Sequence, residues 1–185
     1  MQNEIRGTTT GQLKSGHWMW VAVIAVASVA LSLKLQCVLP FAALAAIGVM
    51  EMRRSEALTL VGLAWAINQV LGYTVLGYPH DANSYSWGTM IGVGAVAAVF
   101  AGEATRNALT SWSYPIKAAT VLVMAYAVYE AVLFAARIVL PASDLAFSAK
   151  IVAEYGLVNA VAFASLVAVH WIVTQAGLAE RRTKA

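Results

Sequence analysis

The stretch ALTLVGLAWAINQVLGYTVLGY, residues 57–78, runs for 22 residues without a charged side chain. A helix that long rises about 33 Å, and crossing a bilayer's hydrocarbon core takes about 20 apolar residues. The stretch therefore predicts a transmembrane helix, and the rest of the chain repeats its character. Of 185 residues, 61% are hydrophobic and only 11% charged, and the mean hydropathy is +0.72. A soluble domain is about a quarter charged, so this chain has too few polar side chains to cover a water-facing globule. High hydropathy excludes disorder, and scattered glycine excludes a collagen-like fibre. The single cysteine, Cys37, excludes an intramolecular disulfide and a cysteine-based zinc cluster. What remains is an all-α integral membrane protein, one domain over residues 1–185.

Outward from the charge-free stretch, five further apolar segments complete a six-span reading. The spans fall at about 17–33, 38–50, 57–78, 85–101, 115–140 and 147–173, the second being short for a crossing. Pro40 opens the second span, Pro115 suits the first turn of the fifth, and Pro141 closes it. Tyr78 to Asn83 reads as the loop after the third span. The polar segment Met1 to Gly16 has no signal-peptide cleavage pattern, so the first apolar stretch is expected to be a permanent span.

The basic residues test this count. With six spans and both termini cytoplasmic, Arg6, Lys14, Arg53, Arg54, Arg106, Lys117, Arg181, Arg182 and Lys184 fall inside. Only Lys34, Arg137 and Lys150 fall outside, out of twelve Lys plus Arg. That is the bias expected of a multi-pass protein in a cytoplasmic membrane, and removing the second span would weaken it. The same distribution accounts for the net charge of +3 without a nucleic-acid partner, because the cations sit between apolar stretches and form no basic face.

Polar side chains within spans are costly, so each is a candidate for function. Asn68 and Gln69 lie near mid-membrane in the third span, about 100° apart around the helix, so at most one faces a cavity squarely. Tyr73 follows one turn later. Glu130 and Arg137 lie toward the outer end of the fifth span, and Glu154 in the outer third of the sixth. The loop after the third span and the start of the fourth bring Tyr78, His80, Asp81, Asn83, Tyr85 and Trp87. Almost every costly polar group thus falls in the outer half, which suggests an outward-facing cavity. Structural alternatives stand beside this reading. Asn68 or Gln69 could simply bond neighbouring helices, Arg137 could pair with Glu154, and the tyrosines could form an interfacial belt. Gly92 and Gly94 are expected to allow close helix packing.

Enzyme signatures are absent: no H-E-x-x-H, G-x-S-x-G, P-loop or dinucleotide-binding glycine motif occurs. His17, His80 and His170 fall too far apart in the six-span reading to form one metal site. The chain is therefore read as a non-enzyme without a resident cofactor.

Asn68-Gln69, Gly72-Tyr73, Leu76-Gly77-Tyr78-Pro79 and Trp87-Gly88 form an N-Q-x-x-G-aromatic, Y-P, W-G string. This string resembles that of the BtuM-like vitamin B12 uptake proteins. The six short spans and inside termini are similar to the S-components of energy-coupling-factor (ECF) transporters, to which those proteins are related. The resemblance implies an S-component-like bundle in the bacterial inner membrane that takes up cobalamin or a related corrinoid as its transported ligand. The solute would lie in an outward-facing cavity beneath the loop after the third span. Its candidate contacts are Asn68, Gln69, Tyr73, Tyr78, His80, Tyr85, Trp87, Glu130, Arg137 and Glu154. Some members of that family ligate cobalt with a cysteine in the segment matching Gly72 to Pro79, where this chain has none. His80 is the nearest candidate for a replacement ligand, since imidazole suits cobalt. The small-residue face expected in the first span for docking an ECF-type energising module is absent, which is consistent with a chain acting alone or docking weakly. The alternative is a non-transport membrane subunit whose intramembrane polar residues hold helices or bind a partner protein.

Overall fold

A computed structural model describes residues 39–141 and 147–175. Within them lie five helices: α1 (Phe41–Glu51), α2 (Arg54–Thr74), α3 (Ala82–Ala108), α4 (Tyr114–Ala136) and α5 (Ala149–Gln175). Those from α2 to α5 are long and apolar enough to cross a membrane. Large apolar side chains such as Val70, Val123, Leu157 and Trp171 face outward, which is the surface a bilayer accepts and water does not. The expected first span, residues 17–33, lies outside the described residues, as do His17, Cys37 and both terminal segments.

The expected second span, 38–50, corresponds to α1. It is an 11-residue helix, about 16 Å long at 1.5 Å per residue, roughly half of a hydrocarbon core. Pro40 bounds it at one end, and at the other Met52 leaves the helical region with φ −123° and ψ 170°. Ala42 to Ile47 are completely buried, because α1 packs against all four long helices. Its alanines let those helices approach closely. A Cβ on Gly48 would lie 3.0 Å from the Ala57 Cβ, and one on Gly102 3.4 Å from Val49. The buried start of α1 is capped from another helix: the Ala43 N–H donates to Asn159 Oδ1 on α5 at 3.0 Å. Helix N-termini leave unpaired N–H groups, and inside a packed apolar bundle there is no water to satisfy them, so Asn159 fills that need.

The long helices alternate in direction. At one end Arg54 of α2 contacts Glu103 of α3 at 2.6 Å, and Arg106 donates to the Val49 carbonyl of α1. At the other end Trp87 of α3 donates to the Pro141 carbonyl beyond α4 at 2.9 Å, and its ring lies 6.0 Å from that of Phe147, tilted by 37°. We call these the arginine end and the tyrosine end.

Helix boundaries differ from the sequence reading for local reasons. At α2 the Arg53 N–H donates to Glu56 Oε2 at 2.8 Å, a capping contact that starts the helix at Arg54. It ends at Thr74, before Gly77 takes φ +70° and turns the chain back. Asp81 caps α3 by accepting from the Ser84 N–H at 2.7 Å. Pro115 does sit in the first turn of α4. That helix stops at Ala136, and turn hydrogen bonds carry the chain on to Leu140, the residue that Pro141 disfavours from helical geometry.

Candidate functional site: a tyrosine-lined cleft

The string that ties residues 68–88 together is a set of close packings around small residues. A Cβ on Gly72 would lie 2.3 Å from Cε2 of Tyr78, so only glycine leaves room for that ring against α2. The positive φ of Gly77 makes the reversal possible, and the Tyr78 N–H then donates to the Gly72 carbonyl at 2.9 Å. Across the helix pair, a Cβ on Gly88 would lie 2.3 Å from Gln69 Oε1. The Trp65 indole N–H donates to the Gly88 carbonyl at 2.7 Å. A Cβ on Gly92 would be 2.9 Å from that indole nitrogen, and one on Gly94 3.0 Å from the Tyr129 ring, so both glycines do permit close packing.

This packing leaves a cleft of about 380 Å³ at the tyrosine end, lined by Gln69, Tyr73, Tyr78, Asp81, Asn83, Ser84, Trp87 and Ile91, among others. Tyr73 and Ser84 hydroxyls meet at 3.3 Å. Tyr73 is the hub of an aromatic cluster. Its ring lies 5.8 Å from Tyr78, 4.9 Å from Tyr85 and 5.4 Å from the His80 ring. His80 Nδ1 and the Tyr85 hydroxyl are 3.0 Å apart, an orienting contact that leaves Nε2 directed elsewhere.

Of the sequence candidates, Gln69, Tyr73, Tyr78 and Trp87 line the cleft, and His80 and Tyr85 adjoin it through Tyr73. The other four fall elsewhere. Asn68 is buried in the bundle, 7% exposed, and is not on the cleft lining. Glu130 lies beside Tyr126 on α4, and the Tyr126 hydroxyl also reaches the Val152 carbonyl of α5. Arg137 does not pair with Glu154. Its guanidinium lies over the rings of Phe134 and Phe147, at 5.9 and 5.7 Å, whereas Glu154 faces Lys150 at 4.0 Å.

Sequence reasoning missed a second polar cluster, at the arginine end. Glu51, the last residue of α1, accepts from the Tyr114 hydroxyl of α4 at 2.5 Å. It also faces His170 Nε2 of α5 at 3.1 Å. These groups border a cavity of about 930 Å³ with Arg106, Lys117, Trp112 and Trp171. Nothing local in the sequence links positions so far apart. Among the described residues, no cluster of three or more His, Cys, Asp or Glu side chains could hold a metal ion.

No family model, curated protein or solved structure matches the chain.

Proposed function

We propose that the chain is a multi-pass protein of a bacterial inner membrane that binds cobalamin or a related corrinoid at its tyrosine end and serves its uptake. The observation that carries this reading is the cleft itself. Aromatic faces and the Gln69 and Asn83 amides converge at one end of a bundle whose core is mostly apolar. A corrinoid offers matching apolar faces and a rim of amide arms. A cleft of about 380 Å³ suits a drug-sized ligand, so it would take one side of a corrinoid and leave the remainder outside it. The resemblance of the Asn68 to Gly88 string to the vitamin B12 uptake proteins supports the same solute.

In this reading the arginine end is cytoplasmic, by the positive-inside rule. Residues 17–33 supply a further span, both termini are cytoplasmic, and the bundle is S-component-like, working alone or with an ECF-type energising module. The short helix α1 then reaches only from the cytoplasmic side to mid-membrane. His80 is the cobalt ligand candidate, with Tyr85 orienting its ring through Nδ1 and Nε2 turned to the metal of the solute.

Purification from cells fed cobalamin tests the proposal. A pink protein with about one corrinoid per chain supports it; colourless protein with no thermal shift on adding corrinoids overturns it. His80→Ala should change the visible spectrum of the bound corrinoid, and an unchanged spectrum removes His80 as a ligand. A second reading, a membrane subunit without transport activity, is favoured by Asn159 and Tyr126, whose polar groups are engaged in holding helices. Stoichiometric co-purification of partner subunits with no bound corrinoid would select it.

A further inference from the structure

Among the described residues, the lining of the cleft carries one carboxylate, that of Asp81, and no lysine or arginine. The ion pairs of the described residues lie elsewhere, at Arg54, Glu103, Arg106, Lys150, Glu154, His170 and Glu51. One Asp81 oxygen, Oδ1, accepts the Ser84 N–H and starts α3. Asparagine would make the capping hydrogen bond about as well, and the charge of the aspartate adds its attraction to the helix N-terminus. Beside this carboxylate stand the rings of Tyr73, Tyr78 and Trp87. Tyrosine and tryptophan faces attract cations through the ring quadrupole, and a carboxylate reinforces that attraction.

We propose that the cleft selects solutes bearing a positive charge, with Asp81 as the residue that sets the preference and the tyrosine and tryptophan rings as its supporting wall. The inference rests on the reading of this cleft as the solute site and adds a property that size and amide chemistry do not imply. Gln69 and Asn83 bond the uncharged polar groups of the solute, while Asp81 scores its charge. For an exposed carboxylate close to a cation, with a ring face beside it, the preference over a neutral analogue is on the order of five- to tenfold.

The probes are cyanocobalamin, which is neutral, and cyanocobalamin with one amide arm converted to a cationic aminoethyl amide; both keep the cyano ligand, and both are bound to the full-length protein in detergent at low salt. Wild type should prefer the cationic form about five- to tenfold. In Asp81→Asn, which keeps the cap, that ratio should fall to about one. Equal affinities in wild type overturn the inference, and so does a preference that persists in Asp81→Asn, which would trace to the added arm rather than to charge at Asp81. If the variant does not fold, raising the ionic strength on wild type decides the matter. Screening should narrow the ratio, and a salt-independent ratio counts against Asp81. If neither corrinoid binds, it is the corrinoid reading that fails, and tetraethylammonium then tests the charge preference separately. Quenching of tryptophan fluorescence in wild type that is lost in Asp81→Asn supports it, and no response in wild type overturns it.

Discussion

Replacing Gly72 by alanine puts two known effects in opposition. In a helix interior the change stabilises by about 0.8–1.0 kcal/mol through backbone entropy and propensity. At Gly72, however, the new methyl would lie 2.3 and 2.4 Å from two carbons of the Tyr78 ring. Carbon atoms rest about 3.5–4.0 Å apart, so the ring must retreat by at least about 1 Å. Overpacking of this kind costs about 1–3 kcal/mol. Gly62, on the same helix, has nothing within 4 Å of an added Cβ, so Gly62→Ala should show the propensity gain alone. Gly72→Ala should therefore be less stable than Gly62→Ala by about 1–3 kcal/mol. For a chain of this size each kcal/mol moves Tm by about 2–4 °C. Thermal unfolding in detergent, followed by tryptophan fluorescence, measures the difference. Should Gly72→Ala unfold at or above the temperature of Gly62→Ala, Tyr78 does not pack on Gly72 and the floor of the cleft is wrongly described.

Asn159→Ala removes the acceptor for the buried Ala43 N–H and should destabilise by about 1–3 kcal/mol, read as a lower Tm. Trp87→Phe keeps a ring beside Phe147 but deletes the donor to the Pro141 carbonyl. A loss of about 0.5–1.5 kcal/mol is expected, with faster proteolytic cleavage in the link between α4 and α5 as the visible sign. Arg54→Ala should change Tm little. Its contact with Glu103 is short, but the arginine side chain is 59% exposed, and exposed pairs contribute at most about 1 kcal/mol.

The parts of the molecule that were legible in sequence are those written within one or two turns of chain. Pro115 marks the start of α4, and the charge-free run containing Asn68 and Gln69 becomes α2. The cleft was legible because Gln69, Tyr73, Tyr78 and Trp87 belong to one helix, its turn and the start of the next. The short helix α1 was not, because an alanine-rich run has the same hydropathy whether lipid or other helices surround it. Only Pro40 and the extended backbone at Met52 stop it at 11 residues. Glu130 and Glu154 were assigned to the right helices and Arg137 falls just past the end of α4, but hydropathy gives depth along a span and no angle around it. Where every face of α4 and α5 is apolar, no polar stripe shows which way a carboxylate turns. The Glu51, Tyr114 and His170 cluster joins three helix ends distant in sequence, a relation that only packing reveals.

The central claim is that the tyrosine-end cleft binds a corrinoid, and a calorimetric titration of cyanocobalamin into purified wild type and Tyr73→Ala tests it most directly. Tyr73 is the ring that Tyr78, His80 and Tyr85 all surround. Saturation near one corrinoid per wild-type chain, with affinity reduced at least about tenfold in Tyr73→Ala, is the predicted result; a base stacked on an aromatic ring loses about 1–3 kcal/mol when that ring is removed. No heat of binding in wild type, or equal affinity in the two proteins, would contradict it.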